Sequence, residues 1–456
     1  MSGGNPLGGA RRARLDGSPS TADGRAPFRF RRVNLDQALA AAGADRGDAE
    51  ADAFAAAAYR EISEGGSEAL AAAVERFGDA APDAPRGEDG LAVYGPGDFF
   101  RALASLEPPV RAALEAAAAR VETFARAQLA AFVPGSVAVP GGRSGWDWLA
   151  VERAGCYVPG GRHPLPSTVL MTVIPARVAG VREVLVASPR PAPATLAACA
   201  LAGADALLAA GGAHAIAALT LGCGRIPPCD VVVGPGNRWV AAAKRLAAAR
   251  VRIDSIAGPS ELLVLADDAA DPRLAALDLA AQAEHDPDAR VWLACASERF
   301  VEAVERELDA VLARLAPNNA GAARAALSGG FACVAGSGDA LVALADALAP
   351  EHLALHARDA ASLRARIRHS GAVFEGGLAA EALADYGAGP NHCLPTGGAA
   401  RRSGGLSVAD FLRQRSWLRL DGRAEAAALA RDAATLARLE GLEAHALAAE
   451  GRLDAG

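Results

Sequence analysis

The chain has 456 residues and a mass of 46.1 kDa, two to three ordinary domain lengths and enough to bury a large core. Apolar residues make up 52% of it but aromatics only 5%, so alanine, leucine and valine carry the packing. With 46 basic against 53 acidic residues, the net charge of -7 argues against a general nucleic-acid binder, and no run approaches the ~20 apolar residues of a membrane-spanning helix.

Residues 1–30 are rich in Gly, Arg, Ser and Pro, carry no apolar period and read as a disordered leader. Recurring arginines suit a transit peptide, but Asp16 and Asp23 weigh against one. Helical patterning covers 35–78 and 98–130, and Gly135 to Gly145 reads as a loop-rich boundary. From about 155 to 255 short apolar strands alternate with Ala-rich helices. Strands are expected at Glu183–Ala187, Ala206–Ala210 and Asp230–Val233, and helices at Ala194–Ala202, Ala213–Leu221 and Arg238–Ala249. This alternation predicts right-handed βαβ units, a parallel sheet and ligands at the carboxyl ends of its strands.

A second α/β stretch spans Glu261 to about 375. Strands are expected at Glu261–Ala266, Val291–Ala294, Phe331–Val334 and Ala372–Glu375, and helices at Pro272–Glu284 and Ser297–Leu315. Residues 380–456 hold a Gly-rich loop and one helix over about 424–449. Lys244 is the only lysine. The seven cysteines are an odd number without a C-x-x-C pair, which predicts buried free thiols in a reducing cytoplasm.

Several short segments could carry chemistry, each with a plain structural explanation beside it. Gly234-Pro235-Gly236-Asn237 after Val231–Val233 suits a dinucleotide turn, and equally a tight strand-to-helix turn. Gln282 and His285 share one helix face and could hold one ion, or simply end a solvated helix before Asp286-Pro287. Pro350 suits a first helical turn, which would carry Glu351 and His352 as an acid–base pair or as a surface pair. Asp385 to His392 is a loop dense in hydrogen-bonding groups. Glu440 and His445, five residues apart, diverge by roughly 140° on a continuous helix. They serve one site only if Gly441 distorts it or they meet different parts of a ligand.

Taken in order, the segments Tyr157-Val158-Pro159-Gly160-Gly161, Leu165-Pro166-Ser167-Thr168-Val169, Gly234-Pro235-Gly236-Asn237 and Ala257-Gly258-Pro259-Ser260-Glu261 form the first half of a pattern. Gln282-Ala283-Glu284-His285, Pro350-Glu351-His352-Leu353, Asn391-His392-Cys393-Leu394-Pro395-Thr396 and Ser407-Val408-Ala409-Asp410-Phe411 complete it. With this order and spacing the chain resembles the histidinol dehydrogenase family over roughly 33–450.

The resemblance implies a zinc enzyme that oxidises L-histidinol to L-histidine through an aldehyde with two NAD, the last steps of histidine biosynthesis. It implies one zinc per subunit, on Gln282, His285, Asp385 and the His445 of a second copy, orienting the substrate. His352 would be the general base and Glu351 would activate water. Ser260, Gln282, His285, His352, Asp385, His392, Glu440 and His445 would meet substrate. Tyr157, His214 and Asn237 would contact NAD, with His214 standing where the family commonly has glutamine.

The implied α/β fold has two incomplete Rossmann-like domains: a main one from 31–154 and 258–400, and an inserted NAD-binding one at 155–257. Small C-terminal helical segments, 401–456, would be exchanged in a domain-swapped homodimer. Three other functions fit the same residues: a relative oxidising another amino- or sulfo-alcohol, a zinc hydrolase using Glu351 as base, and a metal-binding protein without activity. Glu440 with His392 argues for an imidazole substrate, and the intact Glu351-His352 pair argues for turnover.

Overall fold

The computed structural model describes residues 27–41, 48–160 and 164–454. β1 (Arg32–Val33) and α1 (Leu35–Ala41) precede α2 (Ala49–Phe77), β2 (Val93–Tyr94), α3 (Pro96–Ser105) and α4 (Pro108–Leu129). β3 (Gly135–Val139) and β4 (Gly142–Ala150) follow as a hairpin. Next come β5 (Arg153–Tyr157), α5 (Pro166–Ala179), β6 (Glu183–Ala187), α6 (Pro193–Ala202) and β7 (Ala206–Leu208). They lead to α7 (Gly212–Leu221), β8 (Val231–Val233), α8 (Arg238–Ala247) and β9 (Arg252–Ile253). The second half begins with β10 (Glu261–Ala266), α9 (Pro272–His285), β11 (Arg290–Cys295), α10 (Glu298–Leu312) and α11 (Pro317–Gly329). It continues through β12 (Phe331–Val334), α12 (Gly338–Leu348), β13 (His352–His356), α13 (Ala360–Arg366) and β14 (Ala372–Glu375). The chain closes with α14 (Glu381–Leu383), a π-helical turn Ala384–Ala388, β15 (Leu412–Leu420), α15 (Arg423–Leu439) and α16 (Glu443–Asp454).

Two six-stranded sheets share one plan. The first runs β1-β12-β11-β10-β13-β14, all parallel; the second runs β2-β7-β6-β5-β8-β9, parallel but for β2. In each, apart from the edge strand contributed early (β1 or β2), the strand that enters first (β10 or β5) lies centrally and the order reverses beside it, which opens a crevice at that point. Runs such as Val231–Val233 and Leu262–Leu265 are wholly buried, as strands covered by helices on both faces must be. Helices α2, α7 and α8 cover one face of the second sheet and α4, α5 and α6 the other. Helices α9, α10 and α11 cover one face of the first sheet, and α1, α12 and α13 the other.

The structure revises several expectations. Residues 1–26 of the leader and Gly161 lie outside the described residues, but Phe28 and Phe30 are buried against α10, where Asp309 and Glu305 accept their backbone N–H groups. Residues 27–30 of the segment read as a leader are therefore part of the fold. Residues 31–154 do not belong to the 258–400 unit as a block: only β1 and α1 join its sheet, while α2, β2, α3 and α4 pack on the sheet of 153–253. Their apolar stripes match the exposed faces of α5–α8, a complementarity that a linear reading cannot weigh. The loop expected at Gly135–Gly145 is a β-hairpin, extended to three strands because β15 pairs antiparallel with the whole length of β4. All seven cysteines are free and buried, as expected. Among the described residues no helix is long and apolar enough to cross a membrane.

Candidate active site

The residues at issue gather where the carboxyl edge of the second sheet meets the amino edge of the first. Tyr157 ends β5, Gly211-Gly212 open α7 and Gly234–Asn237 links β8 to α8, all at carboxyl strand ends as expected. Ser260 and Glu261, by contrast, begin β10, and His352 begins β13. On this side the candidate residues sit at the amino ends of strands. The loop after the π-helical turn stitches the two edges: Asn391 donates to the Met171 carbonyl, and Thr396 accepts from the Gly258 N–H.

The Glu351-His352 pair is not on a helical turn. Helix α12 stops at Ala349, which adopts a left-handed conformation (φ 46°), and Pro350 leads straight into β13. Parallel pairing with β10 then sets His352 beside Leu262. The His352 Nδ1 lies 3.1 Å from the Glu261 carbonyl, an acceptor only, so Nδ1 carries the proton. Nε2 then keeps its lone pair, and it is buried without a hydrogen-bond partner. Burial pulls the ring's pKa down to about 3, so the imidazole is neutral and its Nε2 unprotonated. Glu351, equally buried, accepts from the Glu261 N–H at 2.8 Å, and burial raises its pKa well above the usual carboxylate range.

Helix α9 ends at this cluster. Its stop at Asp286, ahead of Pro287, fixes Gln282 and His285 on the last turn. Gln282 is fully buried, and its amide satisfies its surroundings with Nε2 toward Glu381, at 2.8 and 3.1 Å from the two carboxylate oxygens, which take both amide hydrogens; the same nitrogen lies 3.1 Å from His352 Nδ1, whose own proton goes to the Glu261 carbonyl. His285 sits at the rim, and desolvation lowers its pKa. Asp385 lies in the π-helical turn; burial lifts its carboxyl to about 7, and no described group donates a hydrogen bond to that carboxylate. His392 bridges Thr168 Oγ1 (3.0 Å) and the Asp385 carbonyl (3.2 Å), its pKa down to about 4 by burial.

Glu381 was not singled out from the sequence. It is 4% exposed, and burial together with the charges of Asp385, Glu351 and Asp278 raises its pKa well above normal. Its i, i+4 spacing to Asp385 was the available signal. Glu261, lifted to about 7 by burial, completes a group of four carboxyls. A cation placed among these carboxyls would favour their ionised forms.

Gln282, His285 and Asp385 suit zinc by this chemistry: an amide oxygen freed by the amide's orientation, a neutral imidazole and an undercoordinated buried carboxylate. Among the described residues no cluster of three or more His, Cys, Asp or Glu surrounds a common point, consistent with a set that needs a further ligand. His445 and Glu440 are not in this cluster. Both are exposed on the C-terminal arm, where α15 and α16 pack on each other through Ala434, Ala437 and Ala446. Gly441 (φ 75°) breaks the helix expected to run on to 449, so their divergence on a continuous helix no longer applies.

On the dinucleotide side, Tyr157 is buried and its hydroxyl accepts the Gly212 N–H at 3.1 Å, while Asp79 accepts that of Gly211 at 2.9 Å. Asn237 is exposed, and its Oδ1 accepts from Trp239 and Val240. The first amides of both helices are thus spent on side chains of this chain. His214 is buried among Phe54, Phe77 and the Glu61–Arg76 pair, its Nε2 3.0 Å from Glu61.

Comparison with known proteins now bears on this geometry. The family model described as histidinol dehydrogenase matches residues 44–453. The histidinol dehydrogenase of Thermus thermophilus is 48% identical over 349 residues, 76% of this chain and 83% of its own. That of Ruegeria pomeroyi is 41% identical over 425 residues, 90% and 94% of the two chains. The crystal structure of histidinol dehydrogenase from Elizabethkingia anophelis superposes with a TM-score of 0.84 at 30% identity, covering 93% of this chain and 98% of that one.

Proposed function

The chain belongs to the histidinol dehydrogenase family, an oxidoreductase of histidine biosynthesis, and from this premise we propose that it oxidises L-histidinol to L-histidine through L-histidinal, with one zinc per subunit and two NAD+ per turnover. One observation carries the mechanism: a neutral, desolvated His352 whose Nε2 has no partner lies beside a buried carboxyl pair and the Gln282–His285 helix end.

Bound zinc would be held by Gln282, His285 and Asp385 and would orient the substrate's amine and imidazole, while NAD+ supplies the hydride acceptor. The chain's own groups do the rest. His352 Nε2 takes the alcohol proton while the Glu261 carbonyl holds the ring's other N–H. Glu351, anchored by the Glu261 N–H, deprotonates the water that adds to the aldehyde. Ser260 and His392 line the substrate end. The four carboxyls complement the cationic amino alcohol. Tyr157 and Asn237 face the dinucleotide, and His214 supports that wall from behind.

The site is completed by His445 and Glu440 of a second copy in a domain-swapped homodimer in the cytoplasm. Exposed leucines support this reading on both sides: Leu436, Leu439 and Leu447 flank the arm's polar pair, and Leu378, Leu383 and Tyr386 flank Asp385. Burying a leucine is worth about 1.5–3 kcal/mol, so several together drive association. The test is an assay of purified enzyme with histidinol and NAD+, counting NADH per histidine. Two supports the four-electron reaction; a ratio of one rejects it.

A further inference from the structure

Of 46 basic residues only Lys244 is a lysine, and it is buried in the last turn of α8 at 1% exposure. An ammonium in that position costs several kcal/mol unless it is paired and hydrogen-bonded. Lys244 Nζ donates to the Asp254 carboxylate, itself buried, and to the Gly234 carbonyl at 2.8 Å. The other Asp254 oxygen accepts the Gly234 N–H at 2.9 Å. One ion pair therefore holds both backbone polar groups of a single glycine. A compact ammonium with three donors fits this convergence, where a planar guanidinium would need more room.

Gly234 is pressed on its other side as well. Its φ of 117° lies outside the range of ordinary side chains, and a Cβ there would come within 2.1 Å of the Tyr157 carbonyl. Three residues on, Asn237 opens α8 with its Oδ1 capping two amides, which leaves its Nδ2 free of partners among the described residues. Asp254 is also where the chain leaves β9 to cross toward Ser260 and Glu261, and its carbonyl accepts from Ser403.

We infer that Lys244 and Asp254 are positioning residues that fix the Gly234–Asn237 turn for the dinucleotide and lock it to the segment delivering Ser260 and Glu261 to the substrate. The ion pair touches neither ligand; it sets the distance between the two halves of the reaction. This rests on the dinucleotide reading of that turn, which NAD+ binding to the unaltered enzyme tests separately.

The experiment compares Lys244→Met, Asp254→Asn and the double variant Lys244→Met/Asp254→Leu in the full-length dimer. It reads KM for NAD+, KM for histidinol, kcat and Tm. Lys244→Met is expected to raise KM for NAD+ about tenfold, the value of one lost charge-assisted hydrogen bond, with KM for histidinol unchanged. Asp254→Asn, which keeps an acceptor, gives a smaller rise of the same kind. The double apolar variant should recover most of the Tm, since apolar replacement of a buried pair is often neutral, yet keep the raised KM for NAD+. A purely structural pair would lower Tm and leave KM for NAD+ alone, or regain the normal KM in the double variant; either result overturns the inference. If Lys244→Met does not fold, the double variant and Asp254→Asn decide it. Failure of the unaltered enzyme to bind NAD+ would overturn the cofactor reading and this inference with it.

Discussion

The ring of His352 and the carbonyl of Glu261 meet at 3.1 Å across two adjacent parallel strands, so strand register dictates which imidazole nitrogen is free. Replacing His352 by Asn should cut turnover by about 10²–10⁴ while zinc stays at one per subunit. Metal analysis beside a turnover assay checks this. Loss of zinc in that variant would reassign His352 to the metal.

Glu381 orients the Gln282 amide, and thereby the oxygen assigned to the metal. Glu381→Leu should let a chelator strip zinc about 10–100-fold more readily, the usual effect of removing a residue that orients a ligand. Glu381→Gln, which can still accept from the amide, should fall between. Equal zinc retention in all three proteins would show that Glu381 does not act through Gln282.

His445 lies exposed on an arm rooted on Gly141 of the β3–β4 hairpin, whose helices α15 and α16 pack on each other, whereas Gln282 is fully buried. His445→Ala homodimers should lose zinc and activity. Mixed dimers with inactive His352→Ala subunits should regain activity, because one of their two sites then takes every group from an intact copy. Verified heterodimers without activity would contradict the shared site.

Asp410 caps the turn Val408–Phe411 through Ser407, and burial lifts its carboxyl to about 6. The unfolded value is about 3.9, so the folded chain holds this proton more tightly. Its contribution is full below about pH 4 and is lost as pH rises through about 6. Asp410→Asn keeps the acceptor for Ser407 and cannot ionise, so Tm should depend less on pH across that window. An unchanged slope would refute the assignment.

Much of this was legible in the sequence because periodicity and turn chemistry are local. The strands at Glu183–Ala187 and Glu261–Ala266 and the helices at Arg238 and Pro272 fall where alternation and Gly or Pro punctuation put them. Gln282 lies against His352, and His352 against Glu351. What the sequence hid depends on partners distant along the chain. Pro350 starts a strand here because Glu351 and His352 are held by β10, a neighbour 90 residues earlier. Residues 135–150 are a sheet because β15 pairs with β4 across a gap of some 270 residues. Glu381 stands in a short Ala-rich stretch where its i, i+4 spacing to Asp385 is a weak signal, and its burial beside Gln282 is what marks it.

The first sheet has a further consequence, for the moment of synthesis. Its edge strand β1 pairs Arg32 with Ala332 and Val33 with Cys333, so the beginning of the chain must wait for a segment made 300 residues later. At about 5–20 residues per second that delay is roughly 15–60 s. Through that interval Phe28 and Phe30 have no α10 to bury them, and the nascent chain carries two exposed aromatic rings near its leading end. Burial of those rings would begin only as α10 emerges.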